Sequence, residues 1–416
     1  MKIIVITPNY PRRNAPMNGI FIHQQIKALS ELGCECHVLV DFNWFPPFGL
    51  HQFHSYWKTG FETFKNYFKE VDGIKIHRVP TFIKMPNRLF SDNYYDRIAD
   101  SFSRYINTKP ELKHTDWIFA HFLTDFGYIG TKIKEQTGIK LAAIARGDDV
   151  HAWPLENPKL IHHIEEVFIN SDLVLANSGR LAKDANEWVP KAIQRQIGVV
   201  YNGVDMDKFR PAEKGEKITI KKRLKLDEKI NYFICVATPV ELKGWLVLFD
   251  AMASVKNSLK NWKLLCVAVN RSSNDTLDLI SEATKRGIDH LIVNLGQISH
   301  SKLAEVYRAS DAFVLASYNE GMANALLEAA ASNIQLITTN VGGHSEIFEE
   351  SPDCSIIDPG DIDQLGTAIL KVIKYQGNQI NTRNQVQKVG SYLSNSKKLL
   401  EKLSYHSTTV AFPSKE

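Results

Sequence analysis

Short apolar runs, separated by polar and amphipathic stretches, set the rhythm of this chain. The first is Ile3-Ile4-Val5-Ile6, apolar at every position. Such a run predicts a strand buried on both faces of a sheet. Comparable runs fall at 36–40, 116–120, 141–145, 173–176 and 197–201, and 73–80 alternates as a strand would. Between them apolar residues recur at helical spacing, as at Ile22, Ile26 and Leu29, a helix closed by Gly33. Residues 211–229 break the pattern, being charged and lysine-rich with no long apolar run. A second alternating series follows. Strands are predicted over 230–236, 262–269, 291–295, 312–316, 335–339 and 355–357, with helices over 246–255, 275–286 and 302–309. Strand–helix alternation in both halves predicts an α/β fold of two doubly wound, Rossmann-like domains. The expected division is 1–205 and 206–389. The polar, helical tail from about 390 to 416 would complete the first domain, with the chain end loosely held.

One stretch departs from this rhythm. Residues 43–68 carry Trp44, Phe45, Phe48, Phe53, Tyr56, Trp57, Phe61, Phe64, Tyr67 and Phe68, interleaved with Lys58 and Lys65. The favoured expectation is an insertion that packs its aromatics on the domain. The alternative is a cover over an acceptor, or a foothold on membrane lipid through 43–69.

Composition narrows the class. A 44% hydrophobic and 23% charged content is ordinary for a globular chain. A formal charge of +4 over 416 residues gives no basis for nucleic-acid binding. No apolar run reaches the ~20 residues of a spanning helix. Met1 to Pro8 is too short an apolar run for a signal peptide and reads as a first strand. Five scattered cysteines give no disulfide framework, and the expected compartment is the reducing cytoplasm.

The densest chemistry lies at Glu320 to Glu328. A buried strand, 312–316, runs into a loop with Glu320, then Gly321-Met322-Ala323-Asn324, then a helix carrying Glu328. A helix start offers free backbone N–H groups and suits a phosphate. Carboxylates accept from hydroxyl groups, so the pair predicts a sugar at one end and a ribose at the other. Eight residues of helix would span ~12 Å, the reach of a diphosphate-linked sugar and nucleoside. Two solvated glutamates are the plainer alternative. Other candidates sit at predicted strand ends, where α/β sheets collect ligands. They are His121 after 116–120, Arg146 after 141–145, and Lys243 beyond 230–236. The first loop lacks G-x-G-x-x-G and carries Gly19 instead, where a ligand could approach the backbone closely.

Taken together these residues resemble the GT-B glycosyltransferases of retaining family 4, over nearly the whole chain. The most specific piece is Ser317-Tyr318-Asn319-Glu320-Gly321-Met322-Ala323-Asn324-Ala325-Leu326-Leu327-Glu328-Ala329, similar to the family's Glu-x7-Glu signature. Tyr201 to Pro211 resembles the usual crossing between domains. Gly19 to Gln25, Asn294-Leu295-Gly296, Lys243-Gly244 and Val341 to Ile347 add support by their order.

The resemblance implies two Rossmann-like domains facing across a cleft, and roles for these residues. Glu320 would hold donor-sugar hydroxyls and Glu328 the ribose. The amides of Gly321, Met322, Ala323 and Asn324 would hold the β-phosphate. Gly19 and Gly296 would border the donor, His121 would lie near the anomeric carbon, and Lys243 would stabilise the departing diphosphate. No metal or other cofactor is implied. Asp205-Met206-Asp207 is read as structural.

The chain departs from the pattern where members carry Gly-Arg before the Lys. Here Ala237 and Thr238 stand, followed by Pro239. That removes one charge-assisted contact to the diphosphate. Arg146, standing where many members have His, is expected to compensate. Asn333 and Gln335 replace a common Gly and Pro. The expected function is sugar transfer from a nucleotide-diphosphate sugar to a glycan or lipid-linked acceptor in surface polysaccharide synthesis. The site would be cytoplasmic, at the inner face of the membrane. The alternatives are a nucleotide-sugar epimerase and a non-catalytic binding protein.

Overall fold

The computed structural model describes residues 1–81, 94–268, 276–375 and 380–408. They form two compact units, Met1–Tyr201 with Leu393–Glu416, and Asn202–Tyr392.

The first unit is built on an eight-stranded sheet. Its strands are β1 (Lys2–Ile6), β2 (Glu35–Asn43), β3 (Glu70–Val71), β4 (Ile74–Thr81), β5 (Trp117–His121), β6 (Lys140–Ala145), β7 (Leu173–Ala176) and β8 (Gly198–Val199). The order is β3-β4-β2-β1-β5-β6-β7-β8. All neighbours are parallel except β3, which pairs antiparallel with β4. Strand order reverses beside β1, which lies between β2 and β5. Ligands gather outside the carboxyl ends of strands at such a switch point.

The continuous apolar runs are explained by burial on both sides. Ile4, Ile6, Ile118 and Ala143 pack into one core, and Ile3, Val5, Phe119 and Ile144 into the other. Two details escaped the sequence pattern. The β3–β4 hairpin is a two-residue pairing too short to show periodicity. The run at 197–201 contributes only Gly198–Val199 to the ladder.

Tyr392–Thr408 is a helix, and its Leu399 and Leu403 are fully buried in the first unit's core. Burying two leucines contributes roughly 1.5–3 kcal/mol each, enough to hold the helix down despite its polar composition. Residues 409–416 lie outside the described residues, as do 376–379 of the Asn/Gln-rich stretch.

Part of the aromatic segment packs on its own unit. Phe45 packs on Phe42, Phe61 and Phe64 with ring centroids 5.3–5.7 Å apart. Phe48 and Phe53 instead stand 97% and 82% exposed.

The second unit holds a six-stranded, wholly parallel sheet. Its strands are β9 (Asn231–Ala237), β10 (Trp262–Ala268), β11 (Ile292–Gly296), β12 (Ala312–Leu315), β13 (Gln335–Thr339) and β14 (Cys354–Ile357). The order is β11-β10-β9-β12-β13-β14, with the reversal between β9 and β12. Segments leaving β9 and β12 therefore share one crevice. No helix among the described residues is long and apolar enough to cross a membrane.

Candidate active site

In the first unit, β5 delivers His121 to the sheet's carboxyl edge, fully buried. β6 delivers Arg146, 8% exposed, to the same edge. Arg146 Nε donates to His121 Nδ1 at 3.1 Å, and Nη2 reaches the same nitrogen at 2.8 Å. Nη2 also donates to Gln25 Oε1 at 2.7 Å. A guanidinium only donates, so His121 Nδ1 accepts and its proton lies on Nε2. That Nε2 is buried without a partner. Burial, with the neighbouring Arg146 charge, holds the His121 pKa well below 6.5. The ring is therefore a neutral hydrogen-bond donor at neutral pH.

The backbone here is strained. Phe122 has φ 71°, and residues Phe122–Gly127 form a π-helix. Such irregularities concentrate at functional sites. Asp149 ties the region together. Its Oδ1 accepts from the amides of Arg146 and Gly147, both at 2.9 Å, and its Oδ2 from that of Leu123 at 2.7 Å.

Gly19 has φ 65°, and a Cβ there would stand 2.2 Å from the Asn9 carbonyl oxygen, so the protein's own loop requires a glycine at this position.

In the second unit, β12 ends one residue before Ala316, and Ser317 and Glu320 follow. The turn after β9 carries Thr238 and Lys243 alongside them. Gly244, at φ 70°, lets this turn press on the end of β12, since a Cβ there would lie 1.9 Å from Ala316 O. Lys243 Nζ stands 2.9 Å from Glu320 Oε1, which also accepts from Ser317 Oγ at 2.9 Å. Gly342 backs the Glu320–Gly321 peptides so closely that a Cβ would meet both carbonyls at 2.3–2.4 Å.

The helix that follows, Asn324–Ala331, has Ala323 at its N-cap and no side-chain cap. Alanine is among the poorest N-caps, so no side chain of the cap residue accepts from the first amides of this helix. Asn324 Oδ1 is buried without a partner, while Met322 and Ala323 are 4% and 6% exposed. Free amides at a helix start beside an ammonium group are chemically suited to an anion.

Glu328 closes the far side. His300 Nε2 lies 2.9 Å from its Oε1, and Tyr307 OH donates to its Oε2 at 3.4 Å. Lys208 Nζ meets His300 Nδ1 at 2.8 Å. Gly296, at φ 60°, ends β11, its amide donating to Asn294 Oδ1 at 3.0 Å. The Asp205-Met206-Asp207 run is an Asx turn. Asp205 Oδ1 accepts from the amides of Asp207 and Lys208 at 3.2 and 3.0 Å. Thr238 turns its carbonyl to Trp245 Nε1 at 2.9 Å.

The second unit thus brings together Lys243, Glu320 and the 321–324 helix start, with Glu328 on the same helix. The first unit brings together His121 and Arg146. Sequence reasoning missed Gln25, Ser317, His300, Tyr307 and His344 as partners. Gln25 carried a legible signal: it is a polar residue on the apolar face of Ile22, Ile26 and Leu29. His344, fully buried, reaches the Thr339 carbonyl through Nδ1 at 3.1 Å and leaves Nε2 without a partner. Burial holds its pKa below 6.5, with opposing influences from Glu320 and Lys243.

Two doubly wound α/β units, each with polar residues near its switch point, are an architecture common among nucleotide-binding enzymes. Comparison with known proteins gives the family. Residues 19–208 match the profile described as Glycosyltransferase Family 4, and residues 216–390 that of Glycosyl transferases group 1. The chain belongs to family 4 and is a glycosyltransferase of the GT-B fold.

A relative named for teichuronic acid biosynthesis, the glycosyltransferase TuaC of Bacillus subtilis, is 26% identical over 389 residues, 91% of this chain and 90% of that one. A D-inositol 3-phosphate glycosyltransferase of Catenulispora acidiphila is 27% identical over 60% of this chain and 61% of its own. Among solved structures, sucrose-phosphate synthase from Thermosynechococcus elongatus aligns with a TM-score of 0.75 at 16% identity, over 97% of this chain and 98% of that one. Anabaena HepE in complex with UDP-glucose aligns at 0.71 and 15% identity, over 97% of this chain and all of that one. These likenesses show the fold.

Proposed function

We propose that this glycosyltransferase takes its sugar from a nucleotide-diphosphate donor and transfers it, with retention, to a glycan or lipid-linked acceptor in surface polysaccharide assembly. The observation that carries the reading is the uncapped helix start at 321–324, with Lys243 and Glu320 on one side and Glu328 on the other. An anion at the helix start would place its diphosphate by Lys243, a sugar by Glu320 and a ribose by Glu328. We assign the His121 N–H and the Lys243 charge to the transfer, Lys243 serving the departing phosphate. Arg146, committed to His121 and Gln25, supports the site by holding that imidazole. The UDP-bound HepE structures and the name of TuaC support the donor and acceptor classes.

The exposed Phe48 and Phe53, with Lys58, Lys65 and Lys69 nearby in sequence, support peripheral contact with a membrane face. Sedimentation with anionic vesicles, lost in Phe48→Ser/Phe53→Ser, tests that part. A thermal-shift panel of nucleotide sugars tests the donor, since a ligand that binds only the folded chain raises its melting temperature. NMR of the product's anomeric configuration tests retention. Thr238 favours one competing reading, a binding protein without turnover. Turnover abolished in both Glu320→Ala and Lys243→Ala removes it.

A further inference from the structure

We infer that Gln25 and Arg146 are positioning residues that hold His121 in the tautomer with its proton on Nε2, so that a neutral imidazole presents one hydrogen bond to the ligand. This rests on the reading of His121 as a residue of the transfer site. The argument starts from what each group can do. Arg146 has donors only, and two of its nitrogens converge on His121 Nδ1. While they remain there, the ring cannot carry its proton on Nδ1. The guanidinium stays in that plane because Nη2 is anchored by Gln25 Oε1 on the helix Ile20–Glu31. Phe21, from the same helix, lies under the guanidinium at 5.3 Å. Phe119 meets the imidazole edge-on at 4.6 Å.

Gln25 is itself fixed. It is 6% exposed, and its backbone carbonyl accepts from Ser396 Oγ at 3.2 Å. Ser396 belongs to the helix Tyr392–Thr408, so the chain end pins the residue that pins Arg146. The far end of the relay is the buried Nε2–H without a partner. An unmade buried donor is costly, and a fold that orients one through three side chains keeps it for an acceptor supplied from outside.

The test is 15N spectroscopy of histidine-labelled enzyme together with transfer kinetics. Wild type is expected to show His121 with Nδ1 unprotonated and Nε2 protonated. Gln25→Met removes the anchor without removing volume. It should introduce the second tautomer and lower kcat between about tenfold and a hundredfold. The donor KM should stay within about twofold. Gln25→Glu restores the acceptor and should recover both the single tautomer and most of the rate. If Gln25→Met does not fold, Arg146→Met reads the same tautomer directly. A wild-type ring protonated on Nδ1 overturns the inference, as does a Gln25→Met spectrum and kcat equal to wild type. A tautomer released by Gln25→Met with an unchanged rate leaves the relay standing and overturns His121 as a transfer-site residue.

Discussion

At His121 a guanidinium donates into Nδ1; at His300 an ammonium does the same. In each ring the donor-only neighbour places the proton on Nε2. The two then part. The Nε2–H of His300 is consumed by Glu328 at 2.9 Å, while that of His121 has no partner. One imidazole is a finished bracket, built to hold a carboxylate for some other ligand. The other is left open at considerable cost, beside a π-helix and a residue at φ 71°. On the function proposed above, hydrogen-bond bookkeeping, rather than residue type or position, separates a supporting histidine from one that would meet a ligand.

The largest expected effect breaks the open member. His121→Phe should lower kcat by roughly 10²–10³, the scale of removing one preorganised donor. The melting temperature should change little, because removing the unmade donor gains about 1–3 kcal/mol while the buried Arg146 loses its Nδ1 acceptor at a similar cost. Kinetics and calorimetry on one preparation check both. A variant that loses stability but keeps kcat would make His121 a core residue.

Lys243 offers a third cation, paired with a carboxylate instead of an imidazole. It is 19% exposed and Glu320 15%, so solvent screens the pair only in part. Lys243→Met should lower kcat by about 10–100-fold while leaving Glu320 to Ser317. Single-turnover measurements with saturating donor read this directly. An unchanged rate would assign the lysine to holding Glu320 alone.

The closed member should respond differently. His300→Phe leaves Oε1 of Glu328 without its donor. The donor KM should rise about tenfold, with kcat within about threefold. Initial-rate kinetics across donor concentrations separate the two. Should kcat fall as far as in His121→Phe, the distinction between bracket and open donor is lost.

Legibility in the sequence followed the same divide. The two sheets were readable because a strand buried on both faces must be apolar throughout, as β1 and β12 are. The Glu320–Glu328 spacing was readable because strand, loop and helix follow one another in the chain. The partners were not. His300 to Glu328, Lys208 to His300 and Gln25 to Arg146 join residues 28, 92 and 121 positions apart. No local period encodes such pairings.

The smallest effect is on stability against pH, and it isolates the open ring once more. The folded pKa of His121 lies well below 6.5, by burial and then by Arg146. Below pH 6.5 the unfolded chain binds a proton there that the native chain refuses. Stability therefore falls as pH falls, by about 1.4 kcal/mol per pH unit for each such residue. His77, lowered to about 4 by burial and by His37, adds the same slope from 6.5 down to about 4. Asp41 acts oppositely. Burial raises its pKa to about 6, so the native chain takes up that proton first and regains stability between 6 and 3.8. His121→Phe removes one proton from the difference and leaves the others. Urea denaturation at pH values stepped downward from neutrality should then show a slope shallower than wild type by about 1.4 kcal/mol per unit. Equal slopes would mean that the His121 ring is protonated in the native state, and with it the account of a neutral donor would fall.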